Sequence, residues 1–273
     1  MNIFTLAKSG RTLLLAAALA VGVVCWVGCG GNEENPADNN GDNGGDNGGI
    51  VDPKTVVKGT FVDNNADGSK TYKTVKIGKQ TWMAENMSKK TADSWCYGED
   101  GITFYAYDTT DNWVAPLLPA DVQTICNKFG RLYTWEAAKT VCPNGWKLPD
   151  TTDWYRLLTA VGGTAEDDYR STDFGKLMSS NGWCGWWDCR YGNLNNINGT
   201  DDYGFSALPG GERWWGGDCV GNCYQDAGYA GHWWTASADW GNSVAHAMRM
   251  GARGDGMGGG TSDAGYSVRC IKK

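Results

Sequence analysis

Histidine is scarce in this sequence, since only His232 and His246 occur among 273 residues. No Cys-x-x-Cys pair occurs either, so a tetrahedral zinc site would need unusual ligands, and no metal ligands are predicted. No basic patch is present and the formal net charge is -7, which argues against nucleic acid binding. Neither histidine lies in a nucleophile motif, so no catalytic residue is predicted and an enzyme is not expected. The sequence leaves open a pair of catalytic carboxylates for glycoside hydrolysis, because the distance between them depends on the fold and not on their separation in the sequence.

Residues 1–28 are organised like a lipoprotein signal peptide. Lys8 and Arg11 precede an almost wholly apolar, uncharged run at 12–27 that is short for a membrane-spanning helix. The run ends at Cys29, and Val27-Gly28-Cys29 resembles the bacterial lipobox, although Trp26 stands where leucine is usual. We therefore expect Cys29 to carry the lipid that attaches the chain to the membrane. The alternatives are an ordinary cleaved signal and an uncleaved anchor.

Residues 29–52 contain mostly Gly, Asn, Asp and Glu, which bury little apolar surface, and they predict a flexible tether. Residues 53–273 are long enough for one domain with its own core. Acidic residues close behind Cys29 resemble surface-export signals of some Gram-negative lipoproteins. We therefore expect an exported protein, lipid-anchored at the outer membrane or cell surface.

The domain has an even number of cysteines besides Cys29, which in an exported protein indicates a disulfide framework. These eight disulfide candidates are Cys96, Cys126, Cys142, Cys184, Cys189, Cys219, Cys223 and Cys270. Eight cysteines allow about 105 connectivities, so their spacing leaves the pairing open.

The residue pattern predicts an α+β domain. Polar and apolar side chains alternate over residues 71–77, and Gly78 then predicts a hairpin turn. Two helices are expected, one at 134–142 before Pro143, the other carrying an apolar stripe from Trp154 to Val161. Beyond residue 175 we expect short strands with long loops between them, the longest at 251–265. The fold expected is two helices packed on short antiparallel strands, with long loops pinned by disulfides.

Six blocks of this sequence resemble the Fibrobacter succinogenes major paralogous domain family. They are YKTVKIGKQTWMAEN (72–86), GRLYTWEAAK (130–139), CPNGWKLP (142–149), YGFSALPGG (203–211), WWTAS (233–237) and SVRCI (267–271). The blocks run in order from about residue 59 to the C-terminus. The family in turn is distantly similar to the C-type lectin-like fold.

The resemblance implies a C-type-lectin-like architecture and a binding rather than a catalytic role. It also implies a Cys142–Cys270 disulfide that closes the domain. The short spacings then suggest Cys184–Cys189 and Cys219–Cys223 as local pairs, leaving Cys96–Cys126.

Two groups of residues are candidates for ligand binding. Paired indoles, at Trp186, Trp187, Trp214 and Trp215 and also at 233–234, have flat faces that suit sugar rings. Neighbouring residues in a strand point to opposite faces, so at most one of each pair is expected to be exposed. The alternative is that they fill the core, as expected of Trp135, Trp146 and Trp154.

The oxygen-rich loop at 193–202 is the second candidate and includes Asn198, Asp201 and Asp202. Such a loop suits calcium, although no lectin calcium signature is present and a solvated loop is the alternative. Asp63-x-Asn65-x-Asp67 resembles the start of a calcium loop, but a hairpin turn is the favoured interpretation. No other cofactor is expected.

The favoured hypothesis is a surface lipoprotein whose domain binds an extracellular ligand, with polysaccharide as the first choice. A structural or adhesive envelope component that binds protein partners is the alternative. An enzyme is the least favoured hypothesis.

Overall fold

The computed structural model describes residues 49–65, 68–100, 102–103, 119–163, 172–183, 197–216, 219–239, 241, 244–251 and 256–273. All of them belong to the unit Asp46–Lys273. The predicted signal peptide, Cys29 and nearly all of the predicted tether lie outside the described residues. Within the described part, no helix is long and apolar enough to cross a membrane.

The described chain has thirteen strands and three α-helices. The strands are β1 (Val57–Asn65), β2 (Gly68–Ile77), β3 (Gln80–Met83), β4 (Ser94–Trp95), β5 (Ile102–Thr103), β6 (Leu132–Tyr133), β7 (Trp146–Lys147), β8 (Gly210–Gly216), β9 (Cys219–Ala227), β10 (Ala230–Ala238), β11 (Ala245–Gly251), β12 (Gly256–Gly260) and β13 (Ile271–Lys272). The helices are α1 (Pro119–Phe129), α2 (Trp135–Val141) and α3 (Thr151–Ala160), and short 3₁₀ helices lie at Pro53–Thr55 and Thr172–Lys176.

The first sheet has the strand order β1-β2-β3-β13-β7. Strands β2 and β3 form the predicted hairpin, with Ile77 opposite Gln80 and Gly78 in the turn at φ 57°. Side chains alternate along a strand, so Val75 and Ile77 are buried on one face of β2, while Tyr72 and Thr74 are buried on the other. Both faces of β2 therefore contact the interior, and Lys73 and Lys76 stay exposed.

The second sheet has the order β12-β11-β10-β8-β9-β5. Its centre is a parallel contact between β10 and β8, where Gly231 lies beside Gly211. Antiparallel pairs flank it on both sides, β8 with β9 and β10 with β11. This sheet carries the polar residues considered below.

Caps fix the starts of the two helices that the sequence predicts. The Thr134 side chain accepts a hydrogen bond from the Ala137 amide at the start of α2. At α3, Asp150 and Asp153 form a reciprocal capping box, with Asp150 Oδ1 accepting from the Asp153 amide at 2.8 Å. Helix α1 is not predicted by the sequence analysis above.

The core lies where α3 packs against both sheets. The ring of Trp154 on α3 lies 4.9 Å from Trp82 of β3 and 6.3 Å from Trp233 of β10, and all three indoles are fully buried. Phe205 packs edge-on against Trp82 and Trp154. Burial of large aromatic surfaces is a major source of stability, so this cluster joins the two sheets.

The C-terminal strand closes the first sheet. Ile271 of β13 pairs with Trp82 of β3 on one side and with Lys147 of β7 on the other. A Cys142–Cys270 disulfide ties this strand to the end of α2. A second disulfide joins Cys96 to Cys126 of α1. These are two of the four expected pairings, and Cys223 is also disulfide-bonded.

The expected C-type-lectin-like α+β fold is wrong. About twice as many residues lie in strands as in helices, and the described chain has three helices rather than two. The strands are not uniformly short, because β1 and β2 have 9 and 10 residues. The region expected to be loop-rich supplies five strands of the six-stranded sheet instead, and β5 is the sixth. Even the expected loop at 251–265 contains β12, whose glycines pair with β11 through backbone groups alone.

Candidate functional site

Four polar side chains cross the second sheet on adjacent strands. Glu212 of β8 pairs with Gln225 of β9, and His232 of β10 pairs with Arg249 of β11. Because Gly211 lies beside Gly231 in the parallel contact, the next residues, Glu212 and His232, are also neighbours. We call Gln225, Glu212, His232 and Arg249 the polar row.

Asp226 joins the polar row from the end of β9. One ligand atom each from Glu212, Asp226 and His232 lie within 4.8 Å of one another. His232 is 8% exposed, while both carboxylates are half-buried. Solvent therefore reaches the cluster from the carboxylate side, and the imidazole forms its inner wall.

Two of the buried polar atoms that lack a hydrogen-bond partner among the described residues lie in the polar row. His232 Nε2 and Arg249 Nε are both buried, and neither has a hydrogen-bond partner among the described residues. A buried polar atom without a partner costs about 1–3 kcal/mol. Two such atoms on neighbouring strands indicate a surface that an additional ligand would complete.

Burial lowers the pKa of His232 below its ordinary value near 6.5. The Glu212 carboxylate opposes this shift, and the Arg249 charge adds to it. The imidazole is therefore neutral at pH 7, with one nitrogen available as an acceptor or ligand.

An aromatic wall supports the imidazole. The Tyr266 ring stacks on His232 at 5.0 Å between centroids, and Trp234 lies 4.2 Å behind Tyr266. Burial raises the pKa of Tyr266 above its ordinary value, and the Glu212 charge and hydrogen bond raise it further. The phenol therefore stays protonated and donates to Glu212.

Backbone geometry at the strand ends places the two carboxylates. Gly211 has φ 68°, and a Cβ there would collide with the Gln225 carbonyl and the Ala227 amide, so only glycine fits beside Glu212. Asp226 also has a positive φ, 67°, and its carbonyl accepts from the Tyr229 amide at 2.9 Å. Aspartate and asparagine tolerate this conformation better than most residues.

Among the four predicted indole candidates, only Trp214 has a described side chain. Trp186 and Trp187 are outside the described residues, as is the side chain of Trp215. Trp214 is half-buried on β8, two residues from Glu212, so the two side chains share one face. Trp233 and Trp234 are both buried, with their Nε1 atoms bound to Asn86 Oδ1 and the Tyr133 carbonyl.

In the described part of the oxygen-rich loop, Asn198 and Asp201 accept hydrogen bonds from nearby residues of the domain. Asn198 Oδ1 accepts from the Trp183 amide at 2.8 Å. Asp201 accepts from both the amide and the hydroxyl of Ser206, while Asp202 is exposed. Asp63 and Asn65 lie in β1, where Asn65 pairs with Gly68 across the hairpin. Asp67 is outside the described residues, as are Cys184, Cys189 and the side chain of Cys219.

A serine, a lysine and a tyrosine meet on the first sheet. Lys70 Nζ donates to Ser88 Oγ at 2.6 Å, and Tyr72 Oη lies 3.2 Å from the same oxygen. Burial lowers the pKa of Lys70, although the Glu85 charge opposes this. In serine hydrolases, the backbone amide of the nucleophilic serine helps to bind the oxyanion. Here the Ser88 amide instead donates to Tyr72 Oη at 3.3 Å. We therefore assign this group to hairpin packing.

No sequence motif identifies Glu212, Asp226, Tyr266 or Arg249 as candidate site residues, and the sequence raises His232 only as a zinc ligand or catalytic base. These residues come from β8, β9, β10, β11 and the segment before β13, so no short motif contains them. The sequence signal that could have found the site is weak, since His232 is marked only by its position directly before the Trp233-Trp234 pair.

The described residues form two large sheets, a two-stranded sheet of β4 and β6, three α-helices and two disulfides whose partners are identified. They define a β-rich, disulfide-stabilised domain with a polar site on one sheet. Residues 75–272, more than half of the chain, match the Fibrobacter succinogenes major domain. The chain therefore belongs to that family, as its six sequence blocks indicated. No curated protein and no solved structure shows significant similarity to it.

Proposed function

We propose that this chain is an exported lipoprotein whose domain binds a hydroxyl-rich extracellular ligand, such as a polysaccharide, at the polar row. The observation that carries the proposal is the pair of unpartnered buried atoms, His232 Nε2 and Arg249 Nε, beside two half-exposed carboxylates. Sugar hydroxyls both donate and accept hydrogen bonds, so they can satisfy carboxylate, imidazole and guanidinium groups together.

The shape of the site also supports a ligand of this class. Trp214 is half-buried and lies two positions from Glu212 on β8, so part of an indole lies on the same face of the sheet as Glu212. Small-ligand sites combine aromatic surface with a few placed polar groups.

Export is supported by the signal-like N-terminus and by the disulfides. Disulfides persist in oxidising compartments, and two pairs are present among the described residues. Replacement of Cys29 by Ser tests the anchor. Metabolic labelling with a radiolabelled fatty acid is expected to mark the wild type and not Cys29→Ser. Equal labelling of both chains would contradict lipid attachment at this residue.

Polysaccharide pull-down, with and without calcium, tests the binding function. Wild type is expected to bind, and Glu212→Gln or Arg249→Gln is expected to weaken binding by about tenfold or more, since hydrogen bonds to charged groups contribute about 1.5–3 kcal/mol. His246→Gln is the matched control. His246 Nε2 bonds to the exposed Asp239 at 2.8 Å, and His246 lies three positions from Arg249 on β11, so their side chains point to opposite faces of the sheet. No retention of wild type on any polysaccharide would refute the proposal.

A protein-binding envelope component is the second candidate. Three large apolar residues near the start of the domain are exposed, namely Ile50, Val57 and Val62. Two of them lie in β1, the edge strand of the first sheet, and exposed edges are sites where another chain can pair. Crosslinking on intact cells that captured only protein partners through β1 would favour this candidate.

A further inference from the structure

We propose that Glu212, Asp226 and His232 bind a divalent transition-metal cation, with zinc as the best match. The proposal concerns metal binding itself and does not depend on whether a polysaccharide binds. It rests on the geometry of three potential ligands from strands β8, β9 and β10.

The distances are compatible with closure around one ion. The three ligand atoms lie within 4.8 Å of one another. Ligand atoms of a tetrahedral zinc site, with bonds of about 2.0–2.2 Å, are about 3.4 Å apart. Side-chain rotation of Glu212 and Asp226, which are both half-buried, can close a difference of about 1.4 Å or less. The buried His232 needs no large movement.

The imidazole supplies an observation independent of the carboxylates. His232 is more than nine-tenths buried, its Nε2 has no partner among the described residues, and one of its nitrogens belongs to the cluster. A buried imidazole nitrogen without a partner carries a desolvation cost of about 1–3 kcal/mol, which a bound ligand would remove. A metal ion is one partner that would satisfy it.

The ligand set selects the class of metal. One imidazole and two carboxylates with an open position suit zinc, which accepts nitrogen and oxygen ligands and often keeps a water at the fourth position. Calcium takes 6–8 oxygen ligands, so a three-ligand site that includes nitrogen suits it poorly. The scarcity of histidine and the lack of a Cys-x-x-Cys pair indicated that a zinc site would need unusual ligands, and this ligand set contains no cysteine.

Neighbouring groups orient the Glu212 carboxylate. Gln225 Nε2 donates to Glu212 Oε1 from the paired position on β9. The Tyr266 hydroxyl donates to the same carboxylate while its ring stacks on His232. Metal ligands are commonly held by such outer hydrogen bonds, which fix their orientation. The Tyr266 side chain therefore contacts two of the three proposed ligands, Glu212 and His232.

Arg249 is the opposing charge near the site. It pairs with His232 across β10 and β11, and its positive charge disfavours a cation. The two carboxylates exceed this single positive charge, so the cluster with a neutral imidazole has a net negative charge. Removal of Arg249 is therefore expected to strengthen metal binding, although the proposed polysaccharide function predicts the opposite effect on polysaccharide retention.

Isothermal titration calorimetry on the tag-free full chain in detergent, after treatment with a chelator, tests the proposal with zinc chloride alone. Wild type is expected to bind one zinc ion per chain, and excess calcium is not expected to displace it. Glu212→Gln, Asp226→Asn and His232→Gln are each expected to weaken zinc affinity by about tenfold or more, because outer-ligand changes alone cost about 10–100-fold. His246→Gln is expected to bind as wild type does.

Asp226→Asn protects the test against misfolding, because asparagine also tolerates the positive φ at this position. Each variant is checked by near-ultraviolet circular dichroism before titration. A wild type that binds no zinc, loss of binding in His246→Gln, unchanged affinity in a folded Asp226→Asn chain, or weaker zinc binding in a folded Arg249→Gln chain would each overturn the proposal. Because no polysaccharide is present, these outcomes are separate from failure of the binding function.

Discussion

Removal of the Cys142–Cys270 disulfide is expected to destabilise the domain more than removal of Cys96–Cys126. The perturbations are two double variants, Cys142→Ala with Cys270→Ala, and Cys96→Ala with Cys126→Ala. Alanine avoids placing a new polar group at Cys270, which is fully buried. The two loops do not overlap in sequence, so each double variant removes one independent restriction on the unfolded chain.

The magnitudes follow from the lengths of the closed loops. The cysteines of the longer loop are separated by 128 positions, and those of the shorter loop by 30. The chain-entropy relation then gives about 5 kcal/mol for Cys142–Cys270 and about 3.6 kcal/mol for Cys96–Cys126. The larger value approaches the whole stability of a typical domain, about 5–15 kcal/mol.

Equilibrium unfolding in urea, followed by tryptophan fluorescence, measures both losses. The Cys142–Cys270 variant is expected to lose about 1.3 kcal/mol more than the Cys96–Cys126 variant, or to be unfolded without urea while the other remains folded. The urea dependence of each transition shows whether the unfolded state has changed in compactness. Equal losses, or a larger loss for Cys96–Cys126, would refute the loop-entropy reasoning for this domain.

Three further changes test the interior. Asn86→Ala is expected to cost about 3 kcal/mol or more by urea unfolding, because Asn86 Oδ1 accepts from the fully buried Arg269 at 2.9 Å; a loss below about 1 kcal/mol would contradict this. Burial raises the pKa of Tyr133 well above 10, whereas the unfolded phenol ionises near 10, so stability is complete below pH 10 and falls above it. Unfolding from pH 9 to 11 should therefore show a shallower decline in Tyr133→Phe, and parallel declines would refute the assignment. Asp150→Ala removes the α3 cap and is expected to cost about 1 kcal/mol, with exposed Glu136→Ala as a near-neutral control.

The sequence predicted the parts of the fold that have regular side-chain patterns. Trp154, Leu157 and Leu158 follow the helical period and are buried on α3 as expected. Helix α1 had the same signal in Val122, Ile125, Cys126 and Phe129, at i, i+3, i+4 and i+7, and this signal was missed.

Strand β12 could not be predicted in this way. Its residues are Gly-Met-Gly-Gly-Gly, so no alternation of side chains exists to identify a strand. Pairing with β11 specifies it, and pairing is a property of the folded chain.

The candidate site was harder to predict for the same reason. Glu212 and His232 become neighbours only through the parallel contact of Gly211 with Gly231, and antiparallel pairing then adds Gln225 and Arg249. Sequence spacing carries no information on such a contact. The indoles selected for their abundance, by contrast, include Trp233 and Trp234, which serve the core.

Strand β13 lies in the interior of the first sheet, between β3 and β7, although it comes from residues 271–272. Strand β3 ends at Met83, so its pairing with β13 closes a loop of residues 84–270. The β1-β2-β3 hairpins are local, whereas loop-closure entropy opposes such a distant contact, so β13 is expected to add late in folding. Loss of residues 271–273 would leave an interior strand edge exposed to other chains.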